Sequence, residues 1–458
     1  MGDAVPRDSR AVVIGAGIGG LLAAGALSPH FDEVVVIERD KLPDEPASRR
    51  YIPQSKHLHT ILVRGKYSME KIYPEWGKVM SSRGAVSGDI GLDVRSVIDG
   101  KYLRKQVEVG VQNFFASREL TEWALRQCAR KLPNVTILQE TSALALVTND
   151  AKDAVVGVTV DEHGTHRTID ADLVIDSSGR GAQGLAWLGA IGYERPAEKR
   201  IRVNLTYGTR HYKRAPWHFD GAVMLGCGAT PQINRGGVMH AQEDDTWIVT
   251  LSGYGKDIPA VDEEGFIAYA RSFAAPDMAD AISSMETVGE GHQFKVPHVV
   301  WRDYKGAKLP ANYLPFGDAI AAFNPIYAQG MTVAAEEAVI LADCLAHGKD
   351  DLQRRFLNGA DKFVGKIWNS SAARDLALTA DPNDKKRGSV QEAVVRRISL
   401  AMATDGKVVG AFQKVANYIA EPPSLMRPGL IARVIWANRP GALKRASRGN
   451  ARHNGANS

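Results

Sequence analysis

The chain has 458 residues, of which 44% are hydrophobic, and its 57 basic and 52 acidic residues give a net charge of +5. This composition is that of a globular protein with a sizeable core. Residues 422–458 contain seven basic residues and no acidic one, which leaves the rest slightly acidic and excludes a body built to bind nucleic acid. The scattered cysteines, Cys128, Cys227 and Cys344, predict no disulfide framework and favour a reducing, cytoplasmic environment.

The first predicted element is an apolar segment, residues 11–27, that has no polar side chain. Gly15, Gly17 and Gly20 follow the G-x-G-x-x-G spacing, after a β-branched run and before a run of alanine and leucine. This order predicts a strand, a tight turn and a helix, as at the start of a nucleotide-binding βαβ unit. A membrane span is disfavoured because the segment contains five glycines and is shorter than the usual ~20 residues.

The second predicted strand, residues 34–37, ends at Glu38, about 20 residues after the glycines. An acidic residue at this position binds a ribose hydroxyl in nucleotide-binding folds. Together with the glycines, Glu38 predicts that the chain binds a nucleotide.

The later segments predict a second, antiparallel sheet. A helix is expected at 113–131 with Ser117 as its N-cap, followed by strands at 135–138, 155–160, 167–169 and 171–176. Apolar residues alternate at 201–207 and 247–252, and Asp262 is the expected N-cap of a helix at 262–273. Another helix is expected at 332–346, and helical, basic sequence follows from about 355. His57 and His59 have no third ligand at a recognisable spacing, so we expect no metal site.

Six segments together carry a resemblance to one protein family. They are VIGAGIGG (13–20), VVVIERD (34–40), PQSKHLHTIL (53–62), ASREL (116–120), DLVIDSSGRGA (172–182) and PFGDAIAAFNPIYAQGMTVAAEEA (315–338). They resemble the FAD-dependent monooxygenases of the para-hydroxybenzoate hydroxylase fold, in particular the branch that includes squalene epoxidase and the bacterial polyether epoxidases. The resemblance spans residues 10 to about 345.

The resemblance implies an α/β fold with a Rossmann-like FAD-binding domain, an inserted antiparallel β-sheet substrate domain and a C-terminal helical region. We expect the FAD-binding domain at 1–190 and 306–350 and the substrate domain at 191–305. Residues 351–458 are the expected helical region with a basic tail.

The resemblance also implies which residues hold FAD. Glu38 would bind the ADP half, Arg118 the pyrophosphate and Asp318 the ribityl chain, while residues 325–331 would pass the isoalloxazine ring and 49–54 would cross it. A helix beginning near Thr332 would aim its N-terminus at the ring. The full set of expected cofactor-binding residues is Gly15, Gly17, Ile18, Gly20, Glu38, Arg39, Arg49, Arg50, Arg118, Gly317, Asp318, Pro325, Gly330 and Met331.

The implied activity is monooxygenation. Reduced FAD and O2 would form a flavin C4a-hydroperoxide that epoxidises or hydroxylates an apolar small molecule, such as a polyketide, terpenoid or aromatic compound of secondary metabolism. The candidates for the cavity wall are Tyr207, Trp247, Phe323 and Tyr327, and no side chain is singled out as an acid or base because the flavin carries the chemistry.

Three further expectations concern partners. NAD(P)H would supply electrons directly or through a partner flavin reductase, since the sequence has no second glycine fingerprint. A FAD-dependent reductase or dehydrogenase, or a cyclase that uses FAD structurally, are the alternative functions. The basic C-terminal region is a candidate for peripheral contact with an anionic membrane.

Overall fold

A computed structural model describes residues 9–98, 102–215, 217–230, 233–273, 275–379 and 390–442, and its centre is a parallel β-sheet. With strands numbered in chain order, the sheet contains β1 (Arg10–Ile14), β2 (Glu33–Ile37), β7 (Val135–Leu138), β11 (Leu173–Asp176) and β17 (Tyr313–Pro315). Their order is β17-β11-β1-β2-β7, and all neighbours are parallel. Because β1 lies between β2 and β11, and β17 lies beyond β11, segments distant in sequence meet at one edge. The predicted Rossmann-like core is confirmed.

Helices pack around this sheet. They are α1 (Ile18–Leu27), α2 (Val63–Ile72), α3 (Trp76–Ser82), α4 (Arg118–Arg130), α5 (Gly184–Ala190) and α8 (Gly330–Leu345). Nine of the ten residues of α1 are buried, because α1 packs between the sheet and the helices α4 and α8. A helix that is apolar on every side is buried in the core of a protein or in a membrane. In the described residues, we find no helix with the length and apolarity that crossing a membrane requires.

A second sheet, largely antiparallel, lies beside the first. It contains β4 (Val94–Ile98), β5 (Tyr102–Leu103), β12 (Ala197–Lys213), β13 (Met224–Cys227), β14 (Arg235–Gln242), β15 (Thr246–Tyr254), β16 (Thr287–Asp303) and β18 (Ala321–Ala322). The order is β18-β16-β12-β15-β14-β13-β4-β5, and β4 pairs with β13 in parallel. The antiparallel sheet was predicted for 191–305. The structure extends it with β4 and β5 from before that range and β18 from after it.

Smaller elements complete these two layers. A two-stranded sheet contains β3 (Val86–Asp89) and β6 (Gln112–Phe115), and a three-stranded sheet contains β8 (Thr141–Thr148), β9 (Val155–Glu162) and β10 (Thr165–Asp170). The helices α6 (Glu263–Arg271) and α7 (Asp277–Ile282) pack on the second sheet. The predicted caps are present, since Ser117 accepts from the Leu120 amide and Asp262 from the Gly265 amide. The helix expected from residue 113 begins instead at Arg118, because 112–115 pair with β3.

The C-terminal region is helical, as predicted. It contains α9 (Leu352–Thr379), α10 (Val390–Ala401), α11 (Gly406–Ala416) and α12 (Pro428–Ala437). The helix α9 packs against α8 and β17, while α10 to α12 form an apolar cluster of their own. Of the predicted basic tail, Arg427, Arg433 and Arg439 are described, and residues 443–458 lie outside the described residues.

Candidate cofactor-binding site

The three glycines at the turn between β1 and α1 have different surroundings. Gly15 has φ +101°, and a Cβ there would lie 2.6 Å from the Ser177 carbonyl oxygen. A Cβ on Gly20 would lie 1.7 Å from the Gly15 carbonyl oxygen, so only glycine fits at either position. At Gly17, by contrast, a Cβ would meet no heavy atom within 4 Å. The backbone is therefore closely packed at Gly15 and Gly20, while the space next to Gly17 is open.

The N-terminus of α1 faces this open space. Its N-cap is Gly17, and no side chain of the described residues caps it or places an acid in its first turn. The first N–H groups of a helix need acceptors, and the helix dipole favours a negative charge there. This end of α1, with Ile18 as its first residue, therefore fits a phosphate or pyrophosphate group.

Glu38 lies directly beside the turn. Its Oε2 accepts from the Ala16 amide at 2.9 Å, and its Oε1 accepts from the Asp40 amide at 2.9 Å. The guanidinium of Arg49 lies 2.9 Å from Oε2 and is itself buried, at 7% exposure. A carboxylate offers about four acceptor positions, so Glu38 can still accept from ribose hydroxyls.

A buried ion-pair network joins Glu38 to Arg118. Arg49 Nε lies 2.9 Å from Glu122 Oε1, and Arg118 Nη1 lies 3.0 Å from Glu122 Oε2. Burial acts to lower the pKa of Arg49, but the carboxylates of Glu122 and Glu38 outweigh it and raise that pKa. The structure thus brings Glu38, Arg49 and Arg118 together, and the expected position of residues 49–54 across the flavin ring stays a prediction.

Glu122 is a residue of this network that sequence reasoning missed. It is 3% exposed on α4, although its neighbours in the helix pattern are apolar core residues. A charged residue on the buried face of a helix is almost always paired. That position was the available signal in the sequence.

Arg39 and Arg50 lie outside the network. Both are exposed, and their guanidinium carbons lie 4.2 Å and 5.5 Å from the ring centre of Tyr51. Their expected contact with the cofactor stays a prediction.

The second end of the site is formed where β17 leads into α8. Gly317 has φ +64°, and its amide donates to Glu337 Oε2 at 2.6 Å. Asp318 follows, half-buried, and a Cβ on Gly330 would lie 3.7 Å from Asp318 Oδ1. The predicted Asp318 and the N-terminus of α8 are therefore adjacent, and α8 begins at Gly330 rather than Thr332.

Glu337 is a second residue that the sequence did not single out. It is fully buried on α8, and its Oε1 has no hydrogen-bond partner among the described residues. Burial, with a smaller contribution from nearby Asp318, raises the pKa of Glu337 to about 8. This carboxyl therefore changes charge near neutral pH next to the predicted ribityl position.

The loop of residues 324–329, between β18 and α8, is the segment expected at the isoalloxazine ring. The Asn324 side chain accepts from the Ile326 amide at 3.2 Å, which closes a short 3-10 turn at Pro325–Tyr327. Ala328 has φ +55°, and Pro325, Gly330 and Met331 are half-buried. The loop therefore keeps one side accessible, as a ligand-contacting loop must.

Side chains from the C-terminal helices hold this loop. Asp375 of α9 accepts from Asn324 Nδ2 at 2.7 Å and from the Tyr327 hydroxyl at 3.0 Å, and Gln329 donates to the Tyr418 hydroxyl at 2.8 Å. Sequence reasoning missed Asp375. Its signal was an acid at helical spacing within the buried stripe of residues 368, 371, 375 and 378.

The four candidates for the cavity wall do not all meet. Tyr207 and Phe323 are buried in the main core, and Tyr327 contacts Asp375. Trp247 lies in the separate apolar cluster under α6 and α7, where its Nε1 donates to His218. The structure thus separates Trp247 from the other three.

The two histidines of the crossing segment contact protein groups. His57 Nδ1 lies 2.8 Å from the Thr209 hydroxyl, and His59 Nδ1 lies 2.8 Å from the His57 carbonyl oxygen. Burial lowers the pKa of His57 to about 4 and that of His59 to about 3. In the described part of the chain, no three His, Cys, Asp or Glu side chains are grouped so that they could hold a metal ion.

A cavity of about 590 Å³ lies between residues 45–56, the start of α4 and the second sheet. Four acidic residues line it, together with serines and two basic residues. They are Glu45, Glu119, Glu243, Asp244, Ser48, Ser55, Ser117, Lys56 and Arg83. The excess of carboxylates disfavours binding of a phosphate in this cavity.

Comparison with known proteins shows which family the chain belongs to. No model of a known protein family matches the chain. Over 402 residues the chain is 32% identical to Protein Rv3254 of Mycobacterium tuberculosis (strain ATCC 25618 / H37Rv). The alignment covers 82% of this chain and 82% of that protein. This chain belongs to the Rv3254 family.

Solved structures relate the fold of this Rv3254-family chain to flavoproteins. A flavoprotein/dehydrogenase from Cytophaga hutchinsonii superposes with a TM-score of 0.67 at 15% identity, over 96% of this chain and 98% of that one. The p-nitrophenol 4-monooxygenase PnpA from Pseudomonas putida DLL-E4 gives 0.64 at 15% identity, over 88% and 97%. The flavin-dependent halogenase CmlS gives 0.64 at 17% identity, over 91% and 77%. At these identities the likeness establishes the fold.

Proposed function

We propose that this protein is an FAD-dependent monooxygenase that epoxidises or hydroxylates an apolar small molecule. The observation that carries the proposal is the meeting of two half-sites. The uncapped end of α1, open at Gly17 and flanked by Glu38, suits the ADP half of a dinucleotide. Asp318, beside the N-terminus of α8, suits the far half.

The two half-sites lie on one sheet, because β1 and β17 each pair with β11, which lies between them. A Cβ on Gly19 of the glycine turn would lie 3.6 Å from the ring of Phe316, two residues before Asp318. A single ligand such as FAD could therefore contact the N-terminus of α1 and that of α8.

The residues have distinct expected tasks. The N–H groups of α1 would bind the pyrophosphate, Glu38 would accept from ribose hydroxyls, and Asp318 would accept from the ribityl chain. When bound and reduced, FAD would supply the two electrons that activate O2, so that one oxygen atom of O2 is transferred to the substrate and the other leaves as water. The N-terminal dipole of α8 would favour negative charge on the ring, and the buried Tyr207 and Phe323 would help to exclude water.

The test is to purify the protein and identify its cofactor. We expect a yellow protein that releases FAD on denaturation and that, given NAD(P)H alone or NAD(P)H with a flavin reductase, consumes O2 and incorporates ¹⁸O from ¹⁸O2 into an apolar product. Consumption of reductant with no ¹⁸O in the product would favour a reductase or dehydrogenase. Turnover without reductant and O2 would favour a cyclase that uses FAD structurally.

The electron donor is proposed to be NAD(P)H, used directly or through a partner flavin reductase. The acidic lining of the 590 Å³ cavity beside Arg118 supports the reductase route, because a dinucleotide phosphate would meet four carboxylates there. A separate reductase restoring activity would support that route, and direct oxidation of NAD(P)H by the purified chain would contradict it. The free cysteines of the described residues, Cys128, Cys227 and Cys344, are compatible with the proposed cytoplasmic location.

We also propose peripheral contact with an anionic membrane through the C-terminal region. Ile435 and Trp436 on α12 are 63% and 68% exposed, while Leu430 and Val434 of the same helix face the apolar cluster. The guanidinium of Arg439 lies 3.8 Å from the Trp436 ring centre. Exposed tryptophan next to arginine suits the interface of an anionic bilayer.

Vesicle sedimentation tests this contact. We expect binding to vesicles that contain phosphatidylglycerol and not to pure phosphatidylcholine, with loss of binding at high salt and in Trp436→Ser. The matched control is Trp217→Ser, which removes another tryptophan that is 77% exposed and lies far from Trp436 in the sequence. Equal binding by Trp436→Ser and the wild type would contradict the proposal.

A further inference from the structure

The 324–329 loop has few contacts of its own that would fix its shape. Its only internal side-chain hydrogen bond among the described residues runs from the Ile326 amide to Asn324, and Ala328 adopts a left-handed backbone conformation. Left-handed conformations of non-glycine residues persist when surrounding groups enforce them. The side chains that hold the loop are Asp375 of α9 and Tyr418, both from the C-terminal region that the family resemblance does not cover, and Tyr254 of the second sheet.

Asp375 makes the central contact. Its Oδ1 accepts both from Asn324 Nδ2, at 2.7 Å, and from the Tyr327 hydroxyl, at 3.0 Å. These donors lie at the two ends of the 3-10 turn, so one carboxylate oxygen fixes both ends. Asn324 Nδ2 also lies 3.4 Å from the Tyr254 hydroxyl of β15, which ties the turn to the second sheet.

Asp375 is closed off from solvent. Its exposure is 1%, and no ion pair to it is present among the described residues. The adjacent Arg374 has its guanidinium 5.8 Å from the Tyr327 ring centre. Burial raises the pKa of Asp375, although the hydrogen bonds from Asn324 and Tyr327 oppose that shift. A buried acid without a cation costs stability, so its place here is explained by the contacts it makes.

We propose that Asp375 is a positioning residue that sets the conformation of the 324–329 loop against the flavin ring. The proposal rests on the proposed function, because it takes this loop to face the ring. Asn324 and Tyr327 lie shortly before α8, so Asp375 also supports the segment that leads into the N-terminus of α8. The C-terminal helical region is then part of the flavin site and not an appended unit.

The test compares Asp375→Ala, Asp375→Asn and wild type by FAD titration and by the midpoint potential of the bound flavin. Asp375→Ala should bind FAD about tenfold more weakly, the effect of losing two ordinary hydrogen bonds. Its potential should become more negative, because a displaced α8 stabilises reduced, anionic flavin less. Asp375→Asn keeps an acceptor oxygen and should recover most of both losses.

The control is Leu376→Ser, on the same helix but 57% exposed, which should leave both quantities unchanged. If Asp375→Ala does not fold, Asp375→Leu, which fills the space but accepts no hydrogen bond, takes its place with the same expected losses. Unchanged affinity and potential in the folded variant that lacks the acceptor would overturn the inference. A wild-type protein that binds no FAD would instead overturn the proposed function.

Discussion

At the glycine turn, the groups that face the proposed ADP half come from the backbone of residues 15–20 and from ion pairs within residues 38–122. At the 324–329 loop, the supporting groups come from Asp375 and Tyr418, far along the chain. The first end is fixed by backbone geometry and by ion pairs among residues 38–122, and the second by side chains of residues 375 and 418. The difference teaches that the two ends of the proposed cofactor site depend on different regions of the chain.

The largest expected effect is on the stability of the protein and comes from the ion-pair network beside the glycine turn. Arg49→Met leaves Glu38 buried without its cation and leaves Arg118 as the nearest remaining cation of Glu122, and we expect a loss of about 3 kcal/mol in the free energy of unfolding. The measurement is urea unfolding followed by circular dichroism. Arg50→Met is the matched control, because Arg50 is exposed and should change stability by less than about 0.5 kcal/mol. Equal losses in both variants would mean that the network does not support this end.

Substitutions at two glycines of the turn distinguish an effect on folding from an effect on FAD binding. Gly20→Ala places a Cβ 1.7 Å from a backbone oxygen, and we expect about 3 kcal/mol of destabilisation or a failure to fold. Gly17→Ala meets nothing in the protein, so its unfolding should match the wild type within about 0.5 kcal/mol. Its FAD affinity should nevertheless fall, because the methyl group occupies the space in front of α1. Normal FAD affinity in Gly17→Ala would contradict the proposed pyrophosphate position.

The same contrast explains what the sequence could predict. The turn, Glu38 and the caps at Ser117 and Asp262 follow from short-range patterns, because spacing and residue type determine local geometry. Asp318 was predicted from the resemblance, and the structure places it beside Gly330.

Long-range partnerships were not predictable in the same way. The pairing of Asp375 with a loop about 50 residues earlier, and of Arg49 with Glu122, depends on how whole helices pack. The second sheet also takes β4 and β5 from an earlier segment, since strand pairing is set by tertiary contacts rather than by sequence order.

The next prediction concerns the charge of Glu337 at the ring end. In the unfolded chain its pKa is near 4.5, and burial raises the folded pKa to about 8. Between these values the folded state keeps a proton that the unfolded state has lost. The contribution to stability is therefore complete below pH ~4.5 and is lost as the pH rises towards about 8, by at most about 1.4 kcal/mol per pH unit.

Glu337→Gln should remove this pH dependence while its amide oxygen still accepts from Gly317. The measurement is the free energy of unfolding at several pH values across that window. The exposed Glu264→Gln should keep the wild-type slope. If the free energy of unfolding of Glu337→Gln kept the wild-type dependence on pH, Glu337 would have an ordinary pKa. No proton would then be buried beside Asp318.

The smallest expected effect compares two helix caps. Ser117 caps the helix that carries Arg118 and also contacts the half-buried Glu243, whereas Asp262 caps α6, which packs on the second sheet. Each cap is worth about 1 kcal/mol, and Ser117→Ala should lose somewhat more because Glu243 loses a donor. Only Ser117→Ala should also weaken FAD binding, since it alone loosens the helix start that positions Arg118. If Asp262→Ala weakens FAD binding equally, the ADP end depends on the second sheet as the ring end depends on the C-terminal helices, and the contrast between the two ends fails.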